Sequence, residues 1–297
     1  MRMRSFARLV GGTAALGAAA LAYASLVERN LFTLRRYDVP VLGPDAEPLR
    51  VLHISDLHLT PGQHRKQRWV ADLAATDPDF VVVTGDNLAH VDAVPAALRA
   101  FEPLLDRPGA FVFGSNDYRG PVVKNPFGYF GRGREYIQGA PLPTEELRDA
   151  FTGAGWIDMN NARTTIKAGG RVIELVGVDD PHIGRDDYAS VAGPTSDGVD
   201  VRIGLSHSPE PRVLDAMADD GFDLMLAGHT HGGQVCVPLY GALVTNCGLD
   251  RRLAKGLHRW PYSEAFLHVS AGLGTHPTAP IRFACPPEAS ILTLIPQ

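Results

Sequence analysis

Leu49-Arg50-Val51-Leu52-His53-Ile54-Ser55-Asp56-Leu57-His58 and Phe80-Val81-Val82-Val83-Thr84-Gly85-Asp86-Asn87 are two apolar runs that each end in a polar cluster. The first alternates and is rich in β-formers, and the second is continuously apolar. Residues 66–75 between them have helical character. Residues 49–86 therefore read as strand, helix, strand, the βαβ unit of a parallel layer. Asp56, His58 and Asp86 fall just past strand ends.

The pattern recurs outward from this unit. Residues 91–105 are helix-like, with Asp92 and Pro95 near their start, and residues 110–113 form a short strand running into Gly114-Ser115-Asn116-Asp117. Residues 119–143 are rich in Gly, Pro and basic or aromatic groups, which predicts an excursion over one edge of the domain, a candidate lid. Arg132 and Arg134 lie in it; exposed, solvated charge is favoured for them over phosphate contact. In the second half, residues 171–178, 201–206 and 222–227 are strand-like, and the last two end in Ser206-His207-Ser208 and Gly228-His229-Thr230-His231. Residues 242–246, 265–269 and 290–294 read as further strands. There is no internal repeat. The architecture predicted is α/β, with two β layers flanked by helices.

A chain of 297 residues with 45% hydrophobic and 21% charged residues can bury a core without staples. Its three cysteines, Cys236, Cys247 and Cys285, form no CxxC pair and are expected to be buried thiols. A net charge of −5 provides no global field for a polyanion, which weighs against nucleic acid as a partner. The N-terminus differs. Arg2, Arg4 and Arg8 precede an uncharged stretch over residues 9–27, long enough to cross about 30 Å of hydrocarbon as a helix. Residues 1–27 are expected to be a membrane anchor holding the globular domain on the outer face, with a signal segment cleaved to secrete it and an ordinary soluble helix as the alternatives. Residues 28–48 are expected to be a linker, and residues 49–297 the globular domain.

Open α/β sheets bind ligands beyond the carboxyl ends of their strands, where nearly every Asp, Asn and His of interest falls. An Asp-x-His pair at a strand exit projects one hard oxygen and one imidazole to the same side, as His229-x-His231 projects two imidazoles. Each pair alone is weak, because a lone histidine is more often a surface or core residue. Five clusters converging carry more weight. His53, inside the first strand, reads as a packed core histidine, and His90, His258 and His268 as non-catalytic. His182, in Asp179-Asp180-Pro181-His182, lies near enough to a strand exit to reach substrate, with a structural role favoured.

Asp56-x-His58, Gly85-Asp86, the Asn of a Gly-Ser-Asn-Asp turn, His207 and Gly228-His229-x-His231, in that order, resemble the signature of calcineurin-like metallophosphoesterases. The run Gly-His-Thr-His-Gly-Gly-Gln over residues 228–234 is closest to their bacterial membrane-associated phosphodiesterase branch. The resemblance implies the four-layer α/β/β/α sandwich of that family, preceded here by one N-terminal apolar helix. It implies one metal on Asp56, His58, Asp86 and His231, and a second on Asp86, Asn116, His207 and His229, with Asp86 bridging. Mixed N/O ligation suits Mn, Fe or Zn, divalent or trivalent. Two cations about 3.5–4 Å apart activate a bridging water and clamp phosphoryl oxygens for in-line attack. The implied substrate is a phosphate ester, a phosphodiester before a monoester, and membrane tethering suggests a lipid-linked or envelope-derived one.

One place departs from the family. Its usual Gly-Asn-His-Asp turn is replaced by Gly114-Ser115-Asn116-Asp117. In one register Ser115 takes the ligand position; in the other Asn116 does, and its carbonyl oxygen is the better neutral ligand for a hard cation. Either way the usual leaving-group acid is missing. Asp117, with a raised pKa, is the expected substitute within the turn, and a metal-bound water or a group on the substrate is the alternative. The missing histidine also keeps open a rival reading, a catalytically degenerate scaffold that binds a protein.

Overall fold

A computed structural model describes residues 12–13, 15–122, 139–276 and 278–297. Arg132 and Arg134 of the expected excursion lie outside the described residues, as do Arg2, Arg4 and Arg8. The strands of the first half are β1 (Thr33–Leu42), β2 (Leu49–Ile54), β3 (Phe80–Val83), β4 (Gly109–Phe111) and β5 (Ile157–Asp158). Those of the second half are β6 (Ala162–Ala168), β7 (Arg171–Gly177), β8 (Val201–Leu205), β9 (Leu224–Ala227), β10 (Cys236–Val237), β11 (Gly241–Ala242), β12 (Gly256–Arg259), β13 (Phe266–Val269) and β14 (Glu288–Pro296).

They build two six-stranded sheets, ordered β1-β14-β2-β3-β4-β5 and β12-β13-β9-β8-β7-β6, with β10-β11 as a separate two-stranded ribbon. β2 to β5 run parallel, as do β7, β8, β9 and β13. Both faces of the first sheet are buried, which is why β3 is apolar throughout. Leu52, Ile54, Val81 and Val83 face the helices His64–Asp72, Val94–Phe101 and Thr144–Gly153 through Val70, Ala97, Phe101 and Phe151. Val51, Phe80 and Val82 face the other way, onto Ile173, Leu175, Ile203 and Leu226 of the second sheet. The outer face of that sheet is covered by Val213, Leu214 and Met217 of the helix Pro211–Asp219. The result is the expected four-layer α/β/β/α sandwich.

Two expectations are corrected. The stretch 28–48 is not simply a linker: Thr33–Leu42 is the edge strand β1, pairing parallel with β14 from Thr33↔Glu288 to Leu42↔Pro296. Its Arg35, Arg36 and Asp38 hide the strand pattern, but Val39, Val41 and Leu42 are buried between the sheets, and Pro40 is tolerated at an edge that needs no second ladder. The strand expected over 242–246 is reduced to Gly241–Ala242. At the N-terminus, residues 15–22 are helical, followed by a π-helical turn at Tyr23–Val27 and a 3-10 turn at Glu28–Asn30. Among the described residues no helix is long and apolar enough to cross a membrane.

Candidate metal centre

The strand exits of both sheets meet at one edge of the sandwich. Asp56 and His58 follow β2, Asp86 follows β3, Asn116 lies in the short helix Ser115–Tyr118 after β4, His207 follows β8, and His229 and His231 follow β9. Five of these, Asp56, His58, Asp86, His229 and His231, hold left-handed backbone with φ between 43° and 68°. Non-glycine residues adopt this conformation at a cost on the order of 1–3 kcal/mol each, and the cost is met here by the surrounding loops, which aim all five side chains inward. Close approach also dictates two glycines. A Cβ on Gly114 would overlap Asp86 Oδ1 and come within 2.6 Å of the His207 ring; one on Gly228 would overlap Ser55 Oγ.

Asp86 stands between two groups of candidate ligands. Its Oδ2 is 3.5 Å from His58 Nε2 on one side and 3.5 Å from His207 Nε2 on the other. His58 Nε2 lies 3.1 Å from His231 Nε2, which is 3.6 Å from Asp56 Oδ1. Asn116 donates its backbone N–H to Asp86 Oδ1 and its side-chain amide to Oδ2, both at 2.7 Å. His229 packs edge-on against His207, ring centres 5.2 Å apart. Two buried triads, Asp56 with His58 and His231, and Asp56 with Asp86 and His207, bring one donor atom each within 4.8 Å of one another.

The protonation pattern suits cations. Burial pushes His58 down to about 3 and holds His229 and His231 well below the ordinary histidine range, so their lone pairs are available. His207 is held differently. Its Nδ1 lies 2.7 Å from the Thr84 carbonyl, which can only accept, so Nδ1 carries the proton and Nε2 turns its lone pair toward Asp86. His207 Nε2 has no hydrogen-bond partner, nor has His58 Nδ1. A neutral imidazole lone pair facing a carboxylate needs a positive charge between them. Against the effect of burial, Asp86, Asp180 and Asp56 raise the His207 pKa well above its usual range, the response of an imidazole to a pocket of negative charge. Two overlapping triads of buried donor atoms, which share Asp56 and are bridged by Asp86 Oδ2 at 3.5 Å from both His58 Nε2 and His207 Nε2, therefore fit metal ions. Ser55, whose hydroxyl donates to Asp56 Oδ2 at 2.6 Å, and Thr84 support the ligands from behind; neither carries a sequence signal beyond adjacency.

The structure corrects the expected role of Asp117. Its carboxylate is fully buried and accepts the backbone N–H groups of Asp86, Asn87, Gly114 and, more weakly, Leu88. Burial and the charge of Asp86 push its carboxyl up to about 7, against the pull of the Gly114 and Asn87 N–H groups toward the charged form. It does not line the cavity over the ligands, so it has no path to a leaving group; it ties the β3 and β4 exits together. His182 does line that cavity, with its ring centre 4.4 Å from that of His229. His53 is a core residue as expected, with Nδ1 2.9 Å from His268 Nδ1 and Nε2 2.8 Å from Thr84 Oγ1. The cysteines are free, Cys236 and Cys285 buried and Cys247 half-buried.

The cavity holds about 350 Å³. His58, Asp86, Asn116, His229 and His231 form its floor, and Val122, Val235, Leu243, Val244, Ala279 and Ile281 an apolar wall. Arg282, which sequence reasoning passed over, is fully buried behind the site. It donates to the carbonyls of Ala271, Gly272 and Gly274, and its Nη2 lies 3.4 Å from His231 Nδ1.

A four-layer sandwich with candidate Asp and His metal ligands at its strand exits fits a metal-dependent phosphoesterase. The profile of the calcineurin-like phosphoesterases matches residues 49–233, and the chain belongs to that family. It is 28% identical to phosphodiesterase YaeI of Escherichia coli over 280 residues, 92% of each chain. It is 25% identical to the metallophosphoesterase YkuE of Bacillus subtilis, over 99% of this chain and 98% of that one. The UDP-2,3-diacylglucosamine pyrophosphatase LpxG of Chlamydia trachomatis is 27% identical, over 91% of each chain.

Proposed function

We propose that this chain hydrolyses a phosphodiester or pyrophosphate linkage in a lipid-linked or envelope-derived substrate, using two metal ions. Asp56, His58, Asp86 and His231 would hold one ion, and Asp86, Asn116, His207 and His229 the other. Bound there, the ions would supply Lewis acidity toward the phosphoryl oxygens and activation of the attacking water. The position of Asp86 carries the reading, 3.5 Å from an imidazole of each set. Asn116 would ligate through its carbonyl oxygen, with the amide turned over from the orientation in which its nitrogen donates to Asp86. The protein's own share of the chemistry is to hold the substrate between the ligand floor and the apolar wall, and to offer His182 for proton exchange with the leaving group. The similarity to a phosphodiesterase and to a pyrophosphatase of an acylated sugar nucleotide supports the linkage and the acylated substrate class. The N-terminal segment keeps the enzyme at the membrane.

Purified full-length protein should bind two equivalents of Mn, Fe or Zn by elemental analysis and cleave bis-p-nitrophenyl phosphate faster than p-nitrophenyl phosphate. Asp86→Ala should lose both metals and turnover. Stable folding with neither metal nor turnover would overturn the reading and leave the scaffold.

A further inference from the structure

Two apolar elements leave the domain at one point beside the cavity mouth. The first is the N-terminal helical run. Leu16 and Leu26 are 73% and 69% exposed, and Leu21, Tyr23 and Val27 are exposed as well, as is Leu31 just past its end. A helix that shows apolar side chains to solvent on several sides is built for a non-aqueous medium rather than for one groove. Its end is tied down. The Ala24 carbonyl accepts the Arg282 N–H at 3.1 Å, the Tyr23 ring meets Phe283 edge-on at 6.4 Å, and Glu28 Oε1 accepts the Cys285 N–H at 2.6 Å.

The second element is the β10–β11 ribbon. Its base is held by the same residue: Cys236 donates its N–H to the Phe283 carbonyl at 2.8 Å, and Val235 pairs with Phe283. Its tip, Val237-Pro238-Leu239-Tyr240, presents a fully exposed Leu239 and exposed Val237 and Tyr240. A two-stranded ribbon of this length is marginal in water, and three apolar side chains at its tip gain nothing from facing it. The Arg251 guanidinium lies 4.0 Å over the Tyr240 ring and donates to the Tyr240 carbonyl, so the tip carries the Tyr and Arg pairing suited to a lipid headgroup layer. Val235 and Leu243, at the two ends of the ribbon, also line the metal cavity.

We propose that the Val237–Tyr240 tip inserts into the same bilayer that receives the N-terminal helix. Phe283 sets the two elements side by side, and the apolar wall of Val235, Leu243 and Ile281 then continues from the membrane to the metal ligands. An acyl chain lies along that wall while its phosphate reaches the floor. The inference rests on the reading of an acylated substrate, but the placement of the tip is testable without it.

The test uses the full chain reconstituted into phosphatidylglycerol and phosphatidylcholine vesicles, with Leu239→Trp compared against the parent chain and its Trp69, Trp156 and Trp260. The added emission should be quenched by lipids brominated in their acyl chains. No quenching overturns the proposal, as does emission already shielded without vesicles, which would mean a contact between two copies. Leu239→Asp should slow hydrolysis of a vesicle-borne diacyl phosphodiester by about tenfold or more, the worth of one buried leucine, and leave bis-p-nitrophenyl phosphate turnover unchanged. Equal loss on both esters also overturns it. Absence of all hydrolysis in the parent would sink the hydrolase reading while the quenching still decides the docking.

Discussion

The Asp117 carboxylate accepts the backbone N–H of Asp86 at 2.8 Å and, through its other oxygen, that of Asn87 at 2.8 Å. It therefore sets the direction in which Asp86, the candidate bridging ligand, leaves β3. Asp117→Asn would turn an amide NH₂ toward backbone donors and leave at least one buried N–H unpaired, a loss of about 1–3 kcal/mol. The melting temperature should fall by several degrees. Turnover should drop by the same factor for good and poor leaving groups; selective loss on poor leaving groups would instead make Asp117 the acid.

Gly114 has Asp86 and His207 against its Cα. Gly114→Ala should displace both and weaken metal retention roughly 10- to 100-fold, as disturbing the supports of a metal ligand commonly does. Competition with a chelator measures this. Retention equal to the parent would mean that the turn relaxes without moving Asp86.

His182 lines the cavity, where Asp117 does not. His182→Asn should cut kcat for an alkyl or phenyl diester by roughly 100-fold, the usual worth of a positioned proton donor, and change bis-p-nitrophenyl phosphate cleavage far less. Parallel losses on both substrates would reduce His182 to packing against His229.

His53 is buried between the sheets, and burial lowers its pKa to about 3. The unfolded chain takes up that proton near the ordinary value of about 6.5, and the folded chain does not. Stability is thus fully present above about pH 6.5 and lost as pH falls toward about 3, at no more than about 1.4 kcal/mol per pH unit for this histidine. Urea midpoints of chelator-treated protein should fall through this window. His53→Gln should fall less steeply, and an unchanged slope would show that His53 is not a source of the acid sensitivity.

The strands β2, β3, β8 and β9 and the polar clusters beyond them were legible in the sequence. Apolar periodicity and its abrupt end at Asp56, Asp86, His207 and Gly228 are local properties, and a parallel α/β layer uses its strand ends for ligands. The side chains of the candidate site were legible for the same reason, since each falls at the abrupt end of an apolar run.

Tertiary structure decided the rest. Asp117 and Asn116 are neighbours in the same short turn, yet one faces backbone N–H groups and the other faces Asp86, a division that depends on where β3 lies beside β4. β1 is a strand only because β14, at the far end of the chain, supplies its partner. His182 enters the cavity through a 3-10 turn capped by Asp180, and Phe283 joins the N-terminal helix to the β10–β11 ribbon across most of the sequence. Composition and periodicity record the free energy of burying a face, which is additive along the chain. Which hydrogen-bond acceptor meets which donor is settled only when distant segments pack, and that choice separates a proton donor from a backbone clamp.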